Sequence, residues 1–475
     1  MTAAPREHRP WVRLDNASNI FLAARTEVDP KVFRMSVELD HDIDPDLLQR
    51  AVDATFERFP LYRAVLRRGI FWYYLEDSDL RPRVEPDEAA TCAPLYRSDH
   101  RNLLFRVLYH RQRIALEIFH ALSDGTGALW FVSDLVTQYL RLRHPEERPA
   151  GGDGDALGDD GWPRDRAEQT HGLVPDSFGE HFRHSRRRGA GRPLTFDEAA
   201  AGPTADAERE PEPQPPADSP GVLDRPAGRV FRARGTRTPD NRPRLVELTM
   251  PAKQVLALAK AEQVTLTMYL TALFFESIRA AAGDLGHRCT IAASIPVNLR
   301  QFFESTSARN FFATVRVEHT YGEGDDSVGA VARHLDAEFR PRASREALEA
   351  KLRALIRLER SAILRVVPRP LKDVILRAVN LANNRGLTVA ISNLGRVSLP
   401  APGDAHIRRM FFHVTAVRPQ FCAMSHGDTL TVSFTSPFVE TDHVREFARH
   451  LTAAGVDISL AAAPATEAEV EELTR

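Results

Sequence analysis

A histidine followed four residues later by an Asp-Gly pair is the part of this sequence best suited to catalysis. The segment reads His120-Ala121-Leu122-Ser123-Asp124-Gly125, and residues 114–120 before it alternate between apolar side chains and others. A period of two places His120 on the apolar face, at the end of a predicted strand. An imidazole titrates near neutral pH, so His120 suits the role of a general base. The alternative at this point is a buried histidine with a structural role.

Asp124 invites the interpretation of a carboxylate that orients His120, and the local geometry argues against it. Four residues on and past a turn, the carboxylate is expected to point away from the imidazole. An alternative is that Asp124 caps the helix that follows, whose apolar residues run from Leu129 to Leu140 at helical spacing. Gly125 is then expected to supply either a small residue or a positive φ angle for the turn.

The composition is that of an ordinary globular protein and excludes several other classes. The chain has 475 residues with 43% hydrophobic and 27% charged side chains, and its length favours two domains. A net charge of −2 gives no reason to expect nucleic acid as a partner. The polar N-terminus and the lack of a long apolar run predict a cytoplasmic protein with no membrane span.

Candidate metal ligands show no pattern that predicts a metal site. The three cysteines, Cys92, Cys289 and Cys422, are far apart and have no Cys-x-x-Cys spacing, which predicts neither a disulfide framework nor a metal centre. His181 and His184 lie close in sequence but have no carboxylate or cysteine neighbours at ligand spacing. The sequence therefore predicts no metal ligands.

Periodicity divides the chain into two α/β units, 1–145 and 244–462, with a tail at 463–475. The first unit has predicted strands at 34–39 and 114–119, hairpins at 62–75 and 103–119, and a helix starting at Asp44-Pro45. The second unit has predicted strands at 244–250, 290–295, 310–317, 387–392, 411–417 and 429–434. Its predicted helices are one that begins after Thr265, two at 345–366 and 371–382, and one that begins at Asp442. The stretch 146–243 is rich in Pro, Gly and charge and is predicted to be a crossover linker, disordered around 199–225.

Several short motifs stand in a fixed order along the two units. They are His120-x-x-x-Asp124-Gly125, Pro296-Val297-Asn298-Leu299-Arg300, Asn310-Phe311-Phe312 and Ser392-Asn393-Leu394-Gly395, with supporting segments at 11–17 and 264–267. Together they resemble the superfamily of chloramphenicol acetyltransferases, plant BAHD acyltransferases and nonribosomal condensation domains. Condensation domains have a second histidine directly before the first, and Phe119 stands there in this chain. The single histidine makes the chain most similar to the alcohol acetyltransferase branch.

This resemblance implies a fold and a set of site residues. The fold is α/β, with two chloramphenicol-acetyltransferase-like subdomains, each a mixed sheet with helices, around a central channel. His120 is implied as the catalytic base, and Asp124, Gly125 and Arg300 as structural residues of the active site, with Asp124 paired to Arg300. Ser392, Asn393, Gly395 and Asn298 are candidates for lining the channel or for binding the oxyanion, and turn or structural roles are the alternatives for them.

The resemblance implies an acyltransferase that moves an acyl group, such as acetyl, from an acyl-CoA thioester to a hydroxyl or amine. Acyl-CoA is then a co-substrate, and no permanently bound cofactor is expected. No Gly-x-Ser-x-Gly elbow or Cys-His pairing indicates a covalent intermediate. Two alternatives stay open: a carrier-protein-dependent acyltransferase or condensation enzyme of secondary metabolism, and a catalytically inactive binding module of the same fold.

Overall fold

The computed structural model describes residues 9–97, 99–147, 230–238, 241–283, 288–359, 369–400, 403–415 and 417–463. Most of the predicted linker, including its expected disordered part, and the tail from residue 464 lie outside the described residues. The strands are β1 Trp11–Arg13, β2 Val32–Leu39, β3 Val65–Arg68, β4 Tyr73–Glu76, β5 Val84–Pro86, β6 Phe105–His110, β7 Arg113–Phe119, β8 Arg244–Pro251, β9 Cys289–Asn298, β10 Phe312–Tyr321, β11 Val389–Val397, β12 Ile407–Val414, β13 Gln420–His426, β14 Thr429–Ser436 and β15 Ser459–Ala462.

Most described helices lie where the sequence predicts them, with shifted ends, and three others, which begin at Asn16, Ala252 and Val328, were not predicted. They are α1 Asn16–Ala24, α2 Pro45–Arg58, α3 Gly125–Arg143, α4 Ala252–Ala261, α5 Leu266–Ala281, α6 Val328–Arg342, α7 Arg345–Glu359, α8 Arg369–Arg385 and α9 Asp442–Ala453. The predicted caps are present: the Asp44 carboxylate accepts from two main-chain N–H groups of α2, and the Thr265 hydroxyl accepts from Met268 N. No described helix is long and apolar enough to cross a membrane.

Two sheets form the two halves of the α/β fold, and each has its own hydrophobic core. The first has five strands in the order β12-β2-β7-β6-β5, and α2 and α3 pack together beside it. The second has seven strands in the order β10-β9-β11-β13-β14-β8-β15, with α5 packed between α6 and α9. Within the second sheet β11 runs parallel to both β9 and β13, so the sheet is mixed.

One strand of the second sequence unit completes the first sheet. β12 pairs antiparallel with β2 over its whole length, from Ile407 opposite Leu39 to Val414 opposite Phe33. The sequence analysis placed this stretch in the 244–462 unit, because β12 follows α8 and β11 directly along the chain. The exchange joins the two halves, since the chain must leave the second sheet after β11 and return to it at β13.

Strand β7, which leads to His120, is buried on both faces. The alternation in its sequence suggested one apolar face and one mixed face, on which Glu117 lies. Glu117 is nevertheless fully buried and accepts hydrogen bonds from Arg34, Arg106 and the main-chain N–H of Cys92. Two guanidinium groups therefore neutralise this carboxylate, which allows a charged residue to lie in the centre of the sheet.

Candidate active site

His120 is the first residue after β7, and hydrogen bonds fix its main chain on both sides. Its N–H donates to the Lys31 carbonyl at 2.8 Å. Its carbonyl accepts from Asn310 Nδ2 at 2.7 Å. The first contact comes from the segment before β2 and the second from the segment before β10, so both halves of the fold position the histidine.

The imidazole of His120 lies among aromatic rings. Phe21 of α1 stacks on it with a centroid distance of 3.9 Å, and Phe33 meets it edge to face at 5.0 Å. Phe312, the first residue of β10, lies 5.9 Å away. Nδ1 is buried and has no hydrogen-bond partner among the described residues, whereas the side chain as a whole keeps partial solvent access. Nε2 is therefore the ring nitrogen that a substrate can reach.

Burial in this aromatic pocket lowers the pKa of His120 below its ordinary value of 6.5. Transfer from water into the pocket disfavours the charged imidazolium, which is the physical cause of the shift. The imidazole is consequently neutral at pH 7 and able to accept a proton. A neutral imidazole is the form that general base catalysis requires.

Asp124 does not touch the His120 side chain, and its carboxylate makes three other hydrogen bonds. Oδ1 accepts from Gly127 N at 2.9 Å and so caps α3. Oδ2 accepts from Arg300 Nη1 at 2.7 Å and from Phe311 N at 2.8 Å. The helix cap, which was the alternative drawn from the sequence, and the ion pair, which the resemblance implies, are both present. Asp124 therefore joins the start of α3 to the second half of the fold.

Arg300 lies in the short 3-10 helix that follows β9, and its guanidinium is almost completely buried. Besides Asp124, it donates to the carbonyls of Ser307 and Arg309 at 2.7 and 2.6 Å. The rings of Trp130 and Phe311 cover its two sides. A buried charge with this many partners fixes the 300–311 loop against the His120 segment.

A second buried ion pair was missed by the sequence analysis. Asp15, the N-cap of α1, accepts from Arg309 Nη2 at 3.1 Å and from the Ser18 main chain and hydroxyl at 2.7 Å. The Ser18 hydroxyl in turn accepts from Asn310 Nδ2, the same amide that holds the His120 carbonyl. The 11–17 segment carried part of the resemblance, but nothing in the sequence links Asp15 to Arg309, which is 294 residues away.

The glycines after His120 are required for close packing. Gly125 has no positive φ, so of the two expected reasons only small size remains, and a Cβ there would lie 2.9 Å from Leu394 Cδ2. The space at Gly127 is smaller still, because a Cβ there would lie 2.1 Å from the Ala308 carbonyl oxygen and 2.4 Å from Ser123 Oγ. The main chain of α3 therefore approaches the 300–311 loop so closely that only glycine fits at position 127.

We expect Gly127→Ala to destabilise the protein by about 3 kcal/mol or more, because main-chain atoms of a buried loop must move. Gly125→Ala is expected to cost less, about 1 kcal/mol, since the tip of Leu394 can rotate away. Gly324→Ala is the matched control because a Cβ there meets nothing within 4 Å. Urea denaturation of the three variants checks this order, and equal stability of all three would contradict the close approach.

The candidate residues on β11 differ in their surroundings. Both ends of the Asn393 amide are occupied: Nδ2 donates to the Thr267 hydroxyl at 2.9 Å, and Oδ1 accepts from Gly395 N at 2.8 Å. Gly395 has a φ of +76° and lies in an irregular part of the strand. Ser392 is half-buried and lies two residues before Leu394, which packs against Gly125. Residues two apart share a face of a strand, so Ser392 lies on the side that faces the His120 segment.

Asn298 lies in a turn between β9 and the segment of Arg300. Its Oδ1 accepts from Arg300 N at 3.0 Å and so caps the short helix that carries Arg300. The turn role, which was the alternative for this residue, accounts for its contacts. Asn298 therefore contributes to the site by positioning Arg300.

A cavity of about 480 Å³ lies close to Lys31, whose carbonyl holds the His120 main chain. The end of α1, the end of α8 and the 232–237 segment line it, and no lining residue is acidic. Its cationic side chains are Arg25, Lys31, Arg232, Arg237, Arg377, Arg385 and Arg418. Burial lowers the pKa of Arg418 to about 10, because the charge is only partly compensated. An anion entering this cavity would meet a strongly positive potential.

No protein-family model matches the sequence, and no curated protein matches it either. Solved structures match over almost the whole chain. Trichothecene 15-O-acetyltransferase from Fusarium sporotrichioides has 11% identity, a TM-score of 0.55 and coverage of 96% of each chain. TRI101 from F. graminearum, solved with coenzyme A and T-2 mycotoxin, has 10% identity and a TM-score of 0.57, covering 94% of this chain and 99% of that one.

A condensation domain is similar to the same extent. The first condensation domain of the calcium-dependent antibiotic synthetase, solved with a substrate analogue, has 14% identity and a TM-score of 0.56, and the match covers 94% of this chain and 96% of that one. At these identities the similarity establishes the fold. The chain has the two-subdomain α/β fold of these trichothecene acetyltransferases and of this condensation domain.

Proposed function

We propose that this protein is an acyltransferase that moves an acyl group from a thioester to a hydroxyl or amine acceptor. The observation that carries the proposal is the state of His120: its main chain is held from both halves of the fold, Nδ1 is buried, and the side chain keeps partial solvent access, which leaves Nε2 for the acceptor. The lowered pKa keeps the imidazole neutral at neutral pH. The fold, shared with trichothecene acetyltransferases, agrees with this assignment.

The reaction follows from these positions. The acceptor oxygen or nitrogen attacks the thioester carbonyl while its proton passes to His120 Nε2, and the carbonyl becomes an oxyanion. As the tetrahedral intermediate collapses, the carbon–sulfur bond breaks, and the imidazolium returns the proton to the thiolate. A base positioned in this way contributes roughly 10²–10⁴ in rate, and no covalent enzyme intermediate is needed.

For the oxyanion we favour the Ser392 hydroxyl over the Asn393 amide. Both functional ends of Asn393 already make hydrogen bonds, which would have to break before the amide could bind an oxyanion. Ser392 makes no side-chain hydrogen bond with the described residues and lies on the side of β11 that carries Leu394. One such donor is typically worth 10²–10³ in kcat.

The cationic cavity favours acyl-CoA as the donor. Coenzyme A carries a diphosphate and a 3′-phosphate, and arginines are the preferred partners of phosphate oxygens. Arg232, Arg237 and Arg385 at the rim have no carboxylate partner among the described residues and are exposed. A carrier-protein thioester, which was the alternative donor, has a single phosphate on its pantetheine arm. It would therefore pair with fewer of these arginines.

We expect the Arg232→Met and Arg385→Met double variant to raise the KM for acyl-CoA about tenfold or more, since two phosphate contacts are lost. The KM for the corresponding acyl-pantetheine, which has no phosphate, should stay unchanged. Arg445→Met is the matched control, because Arg445 is an exposed arginine of α9 outside the cavity. Turnover with acyl-carrier protein but not with acyl-CoA would favour the alternative donor, and no transfer from any thioester would favour the inactive module.

The lowered pKa of His120 predicts the pH dependence of the reaction. The base works when neutral, so activity is retained as pH falls through 6.5 and is lost only below the lowered folded-state pKa. The acidic limb of kcat/KM against pH should therefore have its midpoint below 6.5. Steady-state rates between pH 4.5 and 8 measure this limb, and a midpoint above 6.5 would contradict the burial of the imidazole.

A further inference from the structure

Three histidines from distant parts of the sequence meet at the end of the first sheet that is remote from His120. His41 follows β2, His144 follows α3, and His406 ends the short 3-10 helix before β12. One ligand nitrogen from each lies within 4.8 Å of the others. The rings of His144 and His406 stack at 4.1 Å, and His41 meets both edge to face.

The hydrogen bonds around these rings leave two ring nitrogens without partners among the described residues. Nε2 of His41 and Nε2 of His144 are buried and have no hydrogen-bond partner among the described residues. The opposite nitrogen of each ring faces a carboxylate: His41 Nδ1 lies 2.5 Å from Asp40, and His144 Nδ1 lies 3.5 Å from Glu146. A histidine held at one nitrogen by a carboxylate, with the other nitrogen free, is the arrangement found around protein-bound metals.

His406 is the third histidine of the set, and it lies beside a carboxylate that can supply an oxygen as the fourth ligand. Its Nδ1 bonds to Asp40 at 3.0 Å, so Asp40 holds two of the three rings, and its Nε2 bonds to Glu147 at 3.0 Å. In a tetrahedral site with bonds of 2.0–2.1 Å the ligand atoms lie about 3.4 Å apart, so the three nitrogens, which lie within 4.8 Å of one another, must move closer, and the stacked rings of His144 and His406 must turn until both face the ion.

We propose that His41, His144 and His406 form a Zn²⁺ site, with Glu147 or a water molecule as the fourth ligand. Three neutral imidazoles and one oxygen suit Zn²⁺, whereas Mg²⁺ and Ca²⁺ require mostly oxygen ligands. No local pattern in the sequence marks this site, since its residues are separated by more than 100 and more than 250 positions.

The role of the metal is structural and independent of acyl transfer. β2 begins at Val32, opposite Phe119 beside His120, and reaches Leu39 seven residues later, so the cluster lies about 23 Å from the candidate base. The ion would join the end of β2, the end of α3 and the start of β12, which comes from the second half of the chain. It would therefore hold the exchanged strand in the first sheet.

Zinc binding by the untagged, chelator-treated full-length chain tests the proposal. Isothermal titration is expected to show one equivalent of Zn²⁺, and the melting temperature should rise with zinc concentration. Co²⁺ should give the intense visible absorption of a tetrahedral site. The His41→Gln and His144→Gln double variant should lose the zinc-dependent shift, and Asp40→Asn should weaken binding about 10–100-fold by releasing two of the rings.

His100→Gln is the control, because His100 is an exposed histidine that also faces a neighbouring carboxylate, Asp99. It should bind zinc like the original protein. Without metal, all variants should melt close to the chelated original protein, which separates loss of binding from loss of folding. The proposal is wrong if the original chain binds no Zn²⁺ at micromolar concentration, or if the double variant binds it with the original stoichiometry and affinity.

Discussion

Acyl transfer by the His120→Ala variant is expected to fall by roughly 10²–10⁴ in kcat, with a much smaller change in the KM for the thioester. The reason is that His120 is the imidazole held in this aromatic pocket, and alanine removes the group that takes the proton in the proposed reaction. Steady-state kinetics with an acyl-CoA and a panel of alcohols and amines measures the loss.

The main chain around residue 120 should survive this change. Its two fixing hydrogen bonds use the N–H and carbonyl of residue 120, which alanine retains. The loss of the ring leaves Phe21 without its stacking partner, so the circular dichroism spectrum and melting curve of the variant must accompany the kinetics. His100→Ala serves as the control at an exposed position. Full turnover by a folded His120→Ala protein would exclude His120 as the base.

The parts of the site that are close in sequence could be predicted from it. The spacing of His120, Asp124 and Gly125 places a histidine at a strand end and an N-cap at the start of a helix, and both are properties of a few neighbouring residues. The pairing of Asp124 with Arg300 came from the resemblance, because residues 176 apart leave no local pattern. Without the resemblance, only the helix cap would have been expected.

The contacts that the sequence did not predict are long-range and polar. Arg309 with Asp15, Asn310 with the His120 carbonyl, and β12 with β2 each depend on how the two halves meet. Hydrophobic periodicity reports which face of an element is buried, but it does not report the partner. Glu117 illustrates the same limit of periodicity. A charged residue in an alternating strand is expected to face solvent, and the sequence does not show the two arginines that pair with it.

The Asp124→Asn variant is expected to lose about 3–5 kcal/mol of unfolding free energy. Asp124 Oδ2 accepts from Arg300 and from the Phe311 N–H, and an amide can present only one oxygen to the three donors around this side chain. If that oxygen keeps the helix cap, the amide nitrogen faces two other donors, and Arg300 remains buried without a counter-charge. Urea denaturation followed by circular dichroism measures the change.

Asp44→Asn separates the ion pair from the helix cap. Asp44 caps α2 through two main-chain N–H groups, as Asp124 caps α3, and it makes no ion pair with the described residues. Because asparagine caps helices about as well as aspartate, this control should change stability by no more than about 0.5 kcal/mol.

Combining Asp124→Asn with Arg300→Met removes the unpaired charge, so the double variant should be less unstable than the sum of the two single changes. Additive losses would show that Asp124 acts only as a cap, and the link between α3 and the second half of the fold would then need another explanation.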